Sequence, residues 1–158
     1  MASADRRPRP TRSDFVVWRQ ATTRWDDDDV YGHMNNATYY QLFDTAVNAH
    51  LIEATGLDIR RLGAVGVVAE TGCWYFQEIG FPDPVDIGLA AEHVGTSSVV
   101  YRLGLFQGAG EEAAAEGRFV HVYVDNTGGP GQRPVRPLPA EIRAAVTPLL
   151  RGRPTGSV

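Results

Sequence analysis

Seventeen consecutive residues, Arg24 to Tyr40 (RWDDDDVYGHMNNATYY), hold most of the groups in this chain that could make or break a bond. Aspartates at 26, 27, 28 and 29 repel one another, and a purely structural reason to hold them together is hard to find. Ordinary solvation accounts for Asp26 and Asp28. Ca²⁺ and Mg²⁺ take carboxylate ligands, but the run lacks the alternating spacing of an EF-hand loop, and no metal is expected. The loop leads straight into a helical pattern. At such a helix start, N–H groups stand unpaired at the positive end of the dipole. They can polarise a carbonyl oxygen and stabilise an oxyanion. A carboxylate a few ångströms away can attack that carbonyl or activate a water toward it. Gly32 would let backbone or ligand approach closely. Carboxylate, glycine and helix start together are the parts of an acyl-transfer site.

The elements that must position these groups are legible from periodicity. From Ala37 to about Thr55, Tyr39, Leu42, Phe43, Ala46, Val47 and His50 recur at spacings of three and four, which predicts a long helix with one mostly apolar face. Asn35 or Asn36 suits its N-cap, and Thr38 with Gln41 offers a competing capping box. Gly56 is a natural stop. Strand-like runs are expected at 15–24, 65–76, 84–94, 97–107 and 112–125, the middle pair joined as a hairpin through Gly95 and Thr96. A short amphipathic helix with Pro139 at its first position closes the chain. The order predicts an α+β fold, one long helix packed on an antiparallel sheet of about five strands. Exposed sheet edges favour pairing with a second copy.

With 158 residues the chain suffices for a single domain. Residues 1–13 read as a disordered basic tail, 14–150 as the domain and 151–158 as a flexible C-terminal tail. Apolar residues are 43% and charged residues 22% of the total, which excludes wholesale disorder. No run resembles a membrane span or a signal-peptide core, and a cytoplasmic location is expected. The single Cys73 permits no internal disulfide, and among apolar neighbours it is expected to be inert. A net charge of −4 argues against nucleic acid as partner.

The string Arg24-Trp25-x-Asp27-x-Asp29-x-x-Gly32-His33-x-Asn35-Asn36-x-x-Tyr39 closely resembles the signature of hotdog-fold acyl-CoA thioesterases of the 4-hydroxybenzoyl-CoA thioesterase type. The order of elements is also the hotdog order, a central helix wrapped by an antiparallel sheet, and the likeness spans about Phe15 to Pro139. The resemblance implies hydrolysis of an acyl-CoA to free acid and CoA, with no cofactor. It makes Asp29 the catalytic carboxylate, as nucleophile or general base. It gives Asn36 the oxyanion-binding backbone N–H, His33 with Gly32 a loop-orienting or thioester-contacting role, and Asp27 the task of holding the loop. The chain departs from the pattern in that Asp26 and Asp28 are acidic too.

The same resemblance implies a homodimer or homotetramer with sites built across a two-fold interface. It points to Ser97 and Ser98 for the CoA arm, and to Arg102, Arg133 and Arg136 as candidate phosphate partners. Asn35, Tyr39 and Tyr40 join the substrate-binding candidates, and Phe43, Trp74 and Phe76 are candidates for the acyl pocket. Glu70 is expected outward and solvated, His121 on a strand face, and His50 and His93 carry no motif. A thioesterase acting on acyl-carrier protein and a non-catalytic acyl-CoA-binding module are the alternatives.

Overall fold

A computed structural model describes residues 7–152 of the chain. The strands β1 (Val17–Ala21), β2 (Ala64–Tyr75), β3 (Val85–Val94), β4 (Ser98–Gln107) and β5 (Ala115–Asp125) form one antiparallel sheet in the order β1-β3-β4-β5-β2. The helix α1 (Asn36–Thr55) lies on one face of it, and the short α2 (Ala140–Val146) packs beside α1. A bond between the His50 ring and the Ala145 carbonyl (3.0 Å) ties the two helices together. Among the described residues no helix is long and apolar enough to cross a membrane.

Alternation along β5 sets the two faces of the sheet. Gly117, Phe119, His121 and Tyr123 face α1, while Glu116, Arg118 and Val120 face away. Tyr39, Phe43, Ala46, Val47 and Leu51 bury one face of the helix against this surface. Full burial of a side chain such as Phe43 or Val47 is worth roughly 1.5–3 kcal/mol. Helix and sheet meet so closely at Gly117 that an added Cβ would lie 2.6 Å from the Phe43 ring.

The outer face has a smaller cluster of its own, with Phe15, Ala90, Phe106 and Ala113 buried together. Within the expected disordered tail of 1–13, the described residues from Arg7 onward pack over this cluster. Arg7 chelates Glu116 (3.0 and 3.2 Å) and stacks 3.4 Å over the Trp74 ring. Arg9 donates to the Ala113 carbonyl (2.7 Å), Thr11 bridges Glu112, and a 3₁₀ turn follows at Arg12–Asp14. Arg12 reaches the Gly108 and Gly110 carbonyls (2.9 Å each) and Asp86 (3.1 Å), so three arginines of the expected basic tail anchor it to the sheet and its loops. Residues 1–6 lie outside the described residues, as do 153–158 of the expected C-terminal tail. Arg151 is docked: its backbone N–H donates to the Ala91 carbonyl (2.9 Å) and its side chain reaches the Ser13 carbonyl. The first strand is shorter than the 15–24 run, because Phe15 turns into the outer cluster and Arg24 opens the acidic loop.

Candidate active site

Four adjacent carboxylates survive in one loop because each is directed differently. Asp27 turns inward, 5% exposed, and accepts from the Arg24 backbone N–H (2.7 Å) and guanidinium (2.9 and 3.1 Å). These bonds tie Asp27 to Arg24 at the start of the loop. Asp28 is not merely solvated, as expected; its two oxygens accept from the Phe81 N–H (3.2 and 3.3 Å) and tether a neighbouring loop. Asp26 is exposed. Asp29 remains, half-buried. One of its oxygens accepts from the Tyr31 N–H (2.8 Å), and the other has no hydrogen-bond partner among the described residues. No three His, Cys, Asp or Glu side chains converge into a metal-binding cluster among the described residues.

Gly32 earns its place differently from the expectation. A Cβ there would meet nothing within 4 Å, so close approach is not the reason. Its φ of +83° is, because this left-handed backbone disfavours any L side chain. The turn it makes is closed by two backbone bonds, Gly32 N–H to Asp29 O (3.1 Å) and Asp29 N–H to His33 O (2.8 Å).

At the start of α1 the donors can be accounted for one by one. The Asn35 N–H donates to the Asp27 carbonyl (2.8 Å) and the Thr38 N–H to the Asn35 carbonyl (2.9 Å). Asn35 is the N-cap, its side-chain oxygen accepting from the Ala37 N–H (3.0 Å). The Asn36 N–H donates to nothing among the described residues. Thr38 bonds the Asp27 carbonyl (3.4 Å), so its competing capping box does not form.

Asp29 and Asn36 line one cleft of about 590 Å³, together with His33, Met34, Asn35 and Tyr39 from the motif. The far wall is Tyr75, Phe76, Gln77 and Glu78. The loop's frame is pinned to that wall by the Met34 N–H on the Ile79 carbonyl (2.8 Å). Tyr39 stands edge-on to Tyr75 (5.0 Å), and burial pushes its phenol up to about 12. Glu78 lies 3.4 Å from His33 Nε2. Sequence reasoning missed Glu78, Gln77 and Met34, whose only signal was their position just beyond a strand or just before a helix.

Several expected site residues lie elsewhere. Trp74 sits on the outer face beneath Arg7, so it is Tyr75 that faces the helix. Phe76 still lines the cleft because β2 has ended and alternation no longer applies. Phe43 is wholly buried in the core, and Tyr40 packs on Phe119 (6.0 Å) away from the cleft. Arg102 is corrected as a phosphate partner: it is 3% exposed and held against Glu116 (3.2 Å) on the outer face. Arg136 pairs with Asp125 (3.0 Å). Ser97 and Ser98 precede and begin β4, at the opposite end of the sheet from this cleft. Glu70 is exposed, as expected, and paired with Arg118.

A profile of the thioesterase-like superfamily matches residues 23–146. Of solved structures, the PA5185 protein from Pseudomonas aeruginosa strain PAO1 is 45% identical, with 90% of this chain and 97% of that one covered and a TM-score of 0.83. The PA2801 protein from the same species is 30% identical over 83% of this chain and 98% of that one, with a TM-score of 0.71. A 4-hydroxybenzoyl-CoA thioesterase variant complexed with 4-hydroxybenzoyl-CoA shares the fold at 16% identity, covering 83% of this chain and 98% of that one (TM-score 0.71). No curated protein sequence is a match. The five-stranded sheet around one long helix is the hotdog fold that the motif implied.

Proposed function

The chain belongs to the thioesterase-like superfamily, and from that premise we propose that it hydrolyses acyl-CoA thioesters at the Asp29 cleft. One observation carries the reading: the Asn36 N–H at the helix start and one oxygen of Asp29, both without a hydrogen-bond partner among the described residues, line the same cleft. The thioester carbonyl oxygen accepts from the Asn36 N–H, which the dipole of α1 reinforces. The free Asp29 oxygen then deprotonates a water that adds to the carbonyl carbon, or adds to that carbon itself. In either route the C–S bond breaks and the thiol leaves as CoA, taking up a proton. In the second, water then opens the acyl–Asp29 anhydride. His33, beside Glu78, holds the cleft's rim near the thioester.

Coenzyme A as the thiol carrier is supported by the 4-hydroxybenzoyl-CoA thioesterase that shares the fold. A homodimer is supported by β2, an edge strand with Val67, Val68 and Tyr75 exposed. Antiparallel pairing through that edge would bring the Ser97–Ser98 end of one copy toward the cleft of the other, where these serines and Arg133 would meet the CoA arm.

The test is steady-state release of free CoA from short, medium, long and aromatic acyl-CoAs, with wild type compared with Asp29→Asn. Turnover that survives Asp29→Asn undiminished sinks the assignment. A single turnover in H₂¹⁸O identifies the anhydride route when label appears in Asp29, which requires water to open the anhydride at the Asp29 carbonyl carbon.

A further inference from the structure

The lining of the Asp29 cleft carries a charge balance that thioester hydrolysis by itself does not call for. Its ionisable side chains are the carboxylates of Asp29 and Glu78, the His33 imidazole and the phenols of Tyr39 and Tyr75. Among the described residues no arginine lines it. Burial pushes both phenols up, so they stay uncharged. Even where His33 is protonated, two carboxylates face one cation. Arg9 reaches the Gln77 amide oxygen (2.8 Å), but it is answered by Glu112 (3.3 Å) and stands outside the lining. Asp29 is the reacting group; Glu78 is a second negative charge on the far wall. There it opposes the oxyanion and thiolate that develop in turnover, so its use must lie elsewhere, with His33 (3.4 Å) or with the substrate.

The aromatic side chains beside Glu78 point to the substrate. The Tyr39 and Tyr75 rings meet at 88° with centroids 5.0 Å apart, and Phe76 continues the wall. Rings at right angles form a corner with electron-rich faces, and such faces attract cations, quaternary ammonium groups above all. Tyr75 keeps about half of its surface exposed, so the corner is open to a ligand. The cleft does not run deeper. One turn further along α1, Phe43 is wholly buried, and its ring fills the space above Gly117, where an added Cβ would lie 2.6 Å from it. An acyl group held between Asp29 and the Tyr39–Tyr75 corner is therefore short.

We propose that the acyl group is short and carries a fixed positive charge, an onium centre within a few bonds of the thioester carbonyl, seated in the Tyr39–Tyr75 corner and facing Glu78. This rests on the thioester-hydrolase reading and adds a substrate class to it. Hydrolysis then releases CoA and a zwitterionic acid. An acyl group ending in a carboxylate is turned away by the same charges. A flat aromatic acyl group would fill the corner but leave Glu78 without a use.

The experiment compares trimethylammonioacetyl-CoA with tert-butylacetyl-CoA, which share a shape and differ in one charge. An ammonium group also activates the carbonyl, so each kcat/KM is divided by the rate constant for hydrolysis of that thioester by hydroxide. The expected corrected preference for the cation is about tenfold, modest because solvent screens the exposed Glu78. It should fall to about threefold or less in Glu78→Gln, and shrink as salt is raised. An exposed carboxylate can be neutralised without loss of the fold. A Glu78 that only holds His33 would scale both substrates together and leave the ratio unchanged, which overturns the proposal. So does a wild-type ratio near unity, or a higher corrected kcat/KM for benzoyl-CoA than for the cation. Tyr75→Leu should lower the ratio and Tyr75→Phe preserve it. If wild type hydrolyses no acyl-CoA at all, the hydrolase reading is what has failed. Calorimetric titration with the same two thioesters then decides the corner separately: tighter binding of the cation supports it, and equal binding rejects it.

Discussion

Glu116 and Asp29 are both carboxylates set against the protein's core, and the chain treats them in opposite ways. Glu116, 1% exposed on the outer face, is gripped by Arg7 and by the buried Arg102. Asp29 stands half-buried at the end of the helix-facing side, with one oxygen held by a local turn and the other unbonded among the described residues. Residue type does not separate the two; the number of unspent hydrogen-bonding valences does. A carboxylate closed in by guanidinium groups holds elements together, and one with a free oxygen beside an unpaired N–H can do chemistry. Asp27, three residues from its own arginine, is the outer cluster's logic repeated inside the active-site loop.

That contrast can be broken first at Glu116. Glu116→Ala leaves Arg102 buried without its carboxylate, and breaking such a buried pair costs about 3–5 kcal/mol. Urea denaturation should show that loss, while CoA release per folded molecule holds. A loss below about 1 kcal/mol would mean the outer cluster is not structural. Asp29→Asn should do the reverse. CoA release falls by about 100-fold or more, equivalent to about 2.7 kcal/mol of transition-state stabilisation. Its unfolding free energy stays within about 0.5 kcal/mol of wild type.

Asn35→Ala sharpens the comparison, because Asn35 belongs to the frame and not to the reacting groups. Losing the cap costs about 1 kcal/mol of stability. Its effect on kcat should exceed its effect on KM if the cap's work is to aim the Asn36 N–H; a change in KM alone would argue otherwise.

The smallest effect is expected at Asp125, outside both regions. The Thr127 hydroxyl and N–H, followed by Arg136, lower its pKa from 3.8 to about 2. A depressed carboxylate pKa stabilises the fold above the unfolded value, and that contribution is lost as pH falls from about 4 toward 2. Thermal melts of wild type and Asp125→Asn should therefore converge over that window. Curves that stay parallel would remove Asp125 as the cause.

By itself the sequence determined what depends on near neighbours. Apolar spacing places the helix from Ala37 to about Thr55, one residue inside the observed α1, with Asn35 or Asn36 as its cap, and strand-like runs place the cores of all five strands. The same locality makes the Asp27–Arg24 clamp and the Asp29 turn readable within a dozen residues, since their partners lie two to four positions away. Tertiary structure alone decided the rest. Which of Trp74 and Tyr75 faces the helix depends on the phase of β2 against β5 and on where the strand ends. Arg102 reads as a phosphate partner and Arg7 as part of a basic tail, because burial depends on a partner, Glu116, that lies 14 and 109 residues away. Glu78 and Gln77 enter the cleft because the Met34–Ile79 bond and the Asp28–Phe81 tether draw two distant loops together. Short-range hydrogen bonds and periodicity are written in adjacent letters, whereas burial and charge pairing are set by chain segments that meet only after folding.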